Sequence, residues 1–173
     1  TPELIDLVKG KDDTRLVVGE KRYYSNGEKH SEVHFADDEL TPTGRWLYYY
    51  PSGQLFAEAT FGKQERWTFH ADEGRNAFLE EPCDSVRTAL LSEKRLPVEV
   101  HLFKGDSTMV YRFYEDFLQQ SQGLLMGGLR NGKWVFYYPN GVVQLEAMFI
   151  DGKDNGLDNS YRDNVIPIFR GFD

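Results

Sequence analysis

A chain of 173 residues is long enough to bury one apolar core, and its 14% aromatic content with 16 glycines favours pleated strands and tight turns over helices. Its net charge of −8, without a cluster of Lys and Arg, speaks against nucleic acid and anionic membrane lipid as partners. A single cysteine, Cys83, excludes an internal disulfide, and no apolar run approaches the roughly 20 residues that span a bilayer.

Thr1 to Gly10 lacks the charged and apolar regions of a signal peptide. The chain starts at Thr1 and not at Met, so a leader removed earlier would point to a bacterial periplasm or cell surface, and its absence to the cytoplasm. The first clear unit spans about 20–36 and carries Tyr23-Tyr24-Ser25-Asn26-Gly27, then Glu32 and Phe35. Its His30 and His34 share a strand face at even spacing, but no third ligand stands near them in sequence, so they read as two exposed strand histidines and not as a metal site.

The second unit, about 44–62, contains Gly44-Arg45-Trp46-Leu47-Tyr48-Tyr49-Tyr50-Pro51-Ser52-Gly53. It aligns without a gap on Gly132-Lys133-Trp134-Val135-Phe136-Tyr137-Tyr138-Pro139-Asn140-Gly141 of a third, 132–150. Counting from the turn glycines Gly27, Gly53 and Gly141, a glutamate follows at Glu32, Glu58 and Glu146, and a phenylalanine at Phe35, Phe61 and Phe149.

Degenerate units fill residues 63–131. Trp67-Thr68-Phe69 leads to Gly74, and a further turn falls near Lys94, with Glu99 and Leu102 in the glutamate and phenylalanine places. Against that reading, Asp84 or Ser85 caps a short helix with Val86, Ala89 and Leu90 at helical spacing, and both alternatives stay open. Arg112-Phe113-Tyr114 resembles Arg22-Tyr23-Tyr24 but puts Phe117 where the glycine belongs. Asp151 to Asp158 is rich in Asp, Asn and Gly, yet Lys153 and Arg162 occupy places where a calcium loop needs oxygen ligands, so a solvated turn is expected.

The expected fold is therefore all-β: one repeat domain, 1–173, of tandem β-hairpins zipped into an extended twisted antiparallel sheet, with at most one short helix near 84–94. In Tyr50-Pro51-Ser52-Gly53 and Tyr138-Pro139-Asn140-Gly141 proline presets the first corner of the turn and glycine is the left-handed closing residue, which should pair Tyr50 with Gln54 and Tyr138 with Val142. Simple alternation then packs Leu47, Tyr49, Leu55, Ala57, Ala59 and Phe61 on one face. It leaves Trp46, Tyr48, Phe56, Trp134 and Phe136 on a partly wet aromatic face, where they are the candidate binding residues. The same alternation sets Glu58 opposite Trp46 and Glu146 opposite Trp134, a structural role for the recurrent carboxylates.

Asn131 to Gly141 resembles the unit of the bacterial MORN-repeat variants: Asn-Gly-Lys, a tryptophan, alternating aromatics, then Tyr-Pro-Asn-Gly. Asp151-Gly152-Lys153-Asp154-Asn155-Gly156 looks like the start of one more unit, with Leu157 in the tryptophan place. The resemblance implies a binding or scaffolding module; YwqK-like members are described as antitoxins, and eukaryotic relatives have membrane and scaffold roles. No phosphate loop, nucleophile elbow or Cys-His signature is present, so no catalytic residue, metal or cofactor is assigned. Another protein is the expected partner, with an antitoxin-like inhibitor and a cell-envelope carbohydrate-binding protein or enzyme as alternatives.

Overall fold

The structure, a computed structural model, describes residues 4–9, 17–36, 41–72, 76, 79, 88–156, 158–161 and 167–169. The regular secondary structure of the described residues is nearly all strand, and the chain divides into two compact units, Thr1–Glu81 and Pro82–Asp173. The first holds an antiparallel sheet in plain sequence order: β1 (Leu4–Lys9), β2 (Val17–Tyr23), β3 (Lys29–His34), β4 (Gly44–Tyr49), β5 (Leu55–Phe61) and β6 (Arg66–Phe69). The second runs in sequence order from β7 (Thr88–Leu91) through β8 (Pro97–Lys104), β9 (Ser107–Phe113), β10 (Gln119–Met126) and β11 (Leu129–Tyr137) to β12 (Val143–Ile150). There β13 (Lys153–Asp154) and β14 (Asn159–Tyr161) both pair with β12, and β15 (Pro167–Phe169) closes the sheet beside β14.

The repeat lives in the hairpin turns. In β2–β3, β4–β5 and β11–β12 the backbone N–H of Tyr24, Tyr50 and Tyr138 donates to the carbonyl of Glu28, Gln54 and Val142, while Gly27, Gly53 and Gly141 hold φ of 86°, 83° and 84°. The degenerate units close in the same way without glycine: Tyr114 pairs with Leu118 around Phe117 at φ 63°, and Ser92 with Leu96 around Arg95 at φ 60°. Residues 88–91 are thus strand, which decides the described part of the 84–94 alternative for the repeat, with the turn residue one place beyond Lys94. Gly74, Cys83, residues 84–87, Leu157 and Arg162 lie outside the described residues.

Three residues after each left-handed residue the register slips by one. The extra residue is His30, Phe56, Val98, Gln120 or Gln144, each unpaired between two ladder pairs. This bulge overturns the expected faces. Trp46 lies opposite Ala59 and Tyr48 opposite Ala57, so the tryptophan and tyrosine join the alanines inside, while Leu47 and Tyr49 face outward with Glu58 opposite Leu47. In the last full hairpin Trp134 likewise lies opposite Ala147, and Glu146 opposite Val135.

The core of the first unit is correspondingly aromatic. Trp46 contacts Phe35 and Phe61 at 5.7 and 4.6 Å between ring centres, Tyr50 meets Phe56, and Phe56 meets Phe69. Burying rings of this size supplies most of the apolar area such a thin sheet can gather. Neighbouring hairpins are also tied by tyrosine: the hydroxyls of Tyr24, Tyr50, Tyr114 and Tyr138 donate to the carbonyls of Tyr49, His70, Tyr137 and Tyr161 at 2.8–2.9 Å. Each donor opens one turn, and in two cases, Tyr49 and Tyr137, the acceptor ends the strand that leads to the following turn.

Candidate functional site

Four of the five aromatic residues expected on a wet face are core. Trp46 and Trp134 are 1% exposed, Tyr48 and Phe56 are fully buried, and only Phe136 is half-buried. The bulge turns them inward, so the face they line is closed to a ligand. The indole N–H groups are satisfied by backbone, Trp46 donating to His34 O at 2.7 Å and Trp134 to Leu124 O at 3.2 Å, and not by the glutamates. His30 is likewise buried, edge-on to the Tyr24 ring at 4.7 Å, because it is the extra residue of its bulge.

The recurrent glutamates stand on the outer faces in ion pairs. Glu32 pairs with Lys29 at 2.7 Å and with Lys21 at 3.5 Å, Glu58 with Arg45, Glu99 with Arg112 at 2.5 Å and His101 at 2.6 Å, and Glu146 with Lys133. Burial alone would raise Glu99 and Glu32, but hydrogen bonds from His101 and Arg112, and from Lys29, hold both below the usual carboxylate value. The hydrogen bond from Lys133 does the same for Glu146, which also accepts from Tyr161 at 3.2 Å. Each carboxylate bridges strands of its own sheet.

Phe136 opens onto a cleft of roughly 380 Å³ at the β11, β12 and β14 side of the second sheet. Tyr138 adds a second ring, Leu145 and Tyr161 complete the lining, and Gln144, Asp158 and Ser160 supply an amide, a carboxylate and a hydroxyl. The local fold explains the assembly. Gln144 is the bulge residue of β12, so its side chain is thrown out of the ladder, and Tyr138 fastens β14 by donating to Tyr161 O at 2.9 Å. On the same strand as Phe136, the Arg130 guanidinium lies 4.5 Å from the Trp134 ring centre, 5.1 Å from that of Phe149 and 5.9 Å from that of Phe136. Desolvation there lowers its affinity for its proton relative to a free arginine. Of the candidate binding residues Phe136 alone lines this cleft, and Tyr161, which continues the tyrosine tie at the 23-residue spacing from Tyr138, was not among them.

Two other features stand on the surface of the second unit. Strand β7 is the last of its sheet, with Leu90 and Leu91 exposed at 53% and 37%, and no described strand pairs its outer side. At the hairpin ends away from the Tyr-Pro turns, Met126 and Leu129 face each other across Gly127-Gly128 and are exposed, as is Ile150. Among the described residues no group of three His, Cys, Asp or Glu side chains converges as metal ligands would. No helix of the described residues is long and apolar enough to cross a membrane.

The family described as MORN repeat variant matches residues 20–37, 42–63 and 130–151, the hairpins β2–β3, β4–β5 and β11–β12. No curated protein and no solved structure matches the chain. In these three stretches the chain is similar to MORN repeat variants, and it is a module of antiparallel β-hairpin repeats.

Proposed function

We propose that this repeat module is a non-enzymatic scaffold that binds another protein along the open edge of its second sheet. The supporting observation is strand β7, whose sequence Thr88-Ala89-Leu90-Leu91 carries no charge or proline and leaves two leucines exposed. Sheet edges are ordinarily guarded by lysine, proline or a covering segment, because unpaired backbone groups recruit a further strand. The recurrent glutamates support a structural role and not acid–base work, since each is engaged with a basic neighbour within its own sheet. An antitoxin role is the case in which the partner is a toxin.

Affinity capture from the native host tests the reading with two baits, the natural chain and a Leu90→Lys, Leu91→Lys variant whose strand content is verified by circular dichroism. A stoichiometric protein retained by the first bait and lost from the second is the expected result. Equal retention on both baits, or none on either, overturns it.

A further inference from the structure

We infer that the cleft lined by Phe136, Tyr138, Gln144, Asp158, Ser160 and Tyr161 is a binding site for a neutral saccharide ring, a role separate from the protein-binding edge. Its volume, roughly 380 Å³, lies within the range of about 300–1,000 Å³ typical of small-ligand sites. The half-buried rings of Phe136 and Tyr138, with Leu145 beside them, offer apolar surface of the kind that packs against the C–H face of a pyranose. Around them an amide, a carboxylate and a hydroxyl provide both donors and acceptors, the combination that a ring bearing several hydroxyls can satisfy.

The electrostatics select among ligands. The charges adjoining the cleft balance: Asp158 is negative, and the Arg130 guanidinium lies over the ring of Phe136, while the Glu146–Lys133 pair stands on the other face of the sheet. A phosphate finds no excess of positive charge, and an organic cation no excess of negative, whereas an uncharged polyol loses nothing to that balance. One ring is also held before any ligand arrives. Tyr138 is fixed by its hydrogen bond to Tyr161 O, so little of its side-chain entropy remains to be lost on binding.

The test is a titration of the full chain, followed by amide chemical shifts, with glucose, galactose, N-acetylglucosamine and cellobiose, and separately with inorganic phosphate and tetramethylammonium. At least one of the sugars should give saturable shifts centred on Phe136, Gln144 and Ser160. Phe136→Ala should weaken that binding about tenfold. Gln144→Ala, a change at an exposed position that leaves folding intact, should weaken it several-fold. Absence of saturable shifts with every sugar, shifts unchanged in both variants, or stronger shifts with phosphate or tetramethylammonium overturns the assignment. Because the titration uses no partner protein and leaves β7 intact, its failure says nothing about the edge, and failure of the capture experiment says nothing about the cleft.

Discussion

Beside Trp134, which is almost fully buried, stands Gly123 of β10, six residues after its turn residue Phe117 just as Ala59 follows Gly53 and Ala147 follows Gly141. The tryptophan of a hairpin therefore lies against small residues, Ala147 on one flank and Gly123 on the other. A Cβ on Gly123 would fall inside the van der Waals envelope of the indole atoms Cγ, Cδ2 and Cε2. The ring cannot swing away, because its N–H is bonded to Leu124 O and its faces are packed. Gly123→Ala should accordingly cost about 1–3 kcal/mol by overpacking. Gly62→Ala, where nothing lies within 4 Å and φ is not positive, should stay within about 0.5 kcal/mol of the natural chain. Urea unfolding followed by tryptophan fluorescence compares the two, and equal midpoints would overturn the overpacking argument. Glu146→Ala removes a pairing with Lys133 that is largely solvated, so by the same measurement it should cost no more than about 1 kcal/mol.

At the scale of the hairpin, the left-handed residue is what every unit keeps, and its chemistry is free to vary. Arg95 and Phe117 adopt φ of 60° and 63° where the clear units have glycine, a conformation costing a side-chain-bearing residue about 1–2 kcal/mol. The same substitution should act in opposite directions at the two sites. Arg95→Gly relieves the strain and gives up a half-buried polar side chain with its contacts, a net gain of about 0.5–1 kcal/mol. Phe117→Gly relieves it equally but empties a fully buried ring position worth about 3–5 kcal/mol, so the hairpin should be weakened by about 2–3 kcal/mol. Thermal unfolding of both variants checks the pair of signs. The turns of the clear units were legible because glycine marks all three and proline two of them, and the Tyr50–Gln54 and Tyr138–Val142 pairings follow from turn length alone. The bulge was not legible. His30, Phe56, Val98, Gln120 and Gln144 are not of one residue type, so no common side chain marks the slip in the sequence. One unmarked residue per hairpin was enough to exchange the inner and outer faces, which is why Trp46, Tyr48, Phe56 and Trp134 read as surface. The cleft was legible only at Phe136, because Asp158, Ser160 and Tyr161 follow the last clear unit, where no repeat register guides the eye.

For the whole molecule, acidity sets two opposing tendencies that should place its greatest stability at mildly acidic pH. With a net charge of −8 at pH 7, the sheets repel themselves, and that repulsion fades as the pH is lowered toward the isoelectric point near 5.0. Against it stand the ion-paired glutamates, Glu32 in the first unit and Glu99 and Glu146 in the second, each with its proton affinity lowered by basic neighbours. A carboxylate whose folded pKa is depressed contributes its full stabilisation above its unfolded value, about 4.3 for glutamate, and loses it as the pH falls through that value toward the folded one. Stability should therefore rise gently from pH 7 to about 5, then fall as the pH drops below about 4. The fall should be seen in both units, since each carries at least one such glutamate. Glu99 bridges two partners and is the most enclosed of the three, so Glu99→Gln, which keeps the shape and removes the charge, should blunt the acid limb more than Glu146→Gln does. Added salt separates the two tendencies: it screens the diffuse repulsion and flattens the rise from pH 7 to about 5, while the acid limb, made by hydrogen-bonded pairs far closer together than a Debye length, should be weakened less. Melting temperatures across this pH range at low and high salt supply the check, and an acid limb that vanishes with salt would mean that the paired glutamates contribute no more than the net charge.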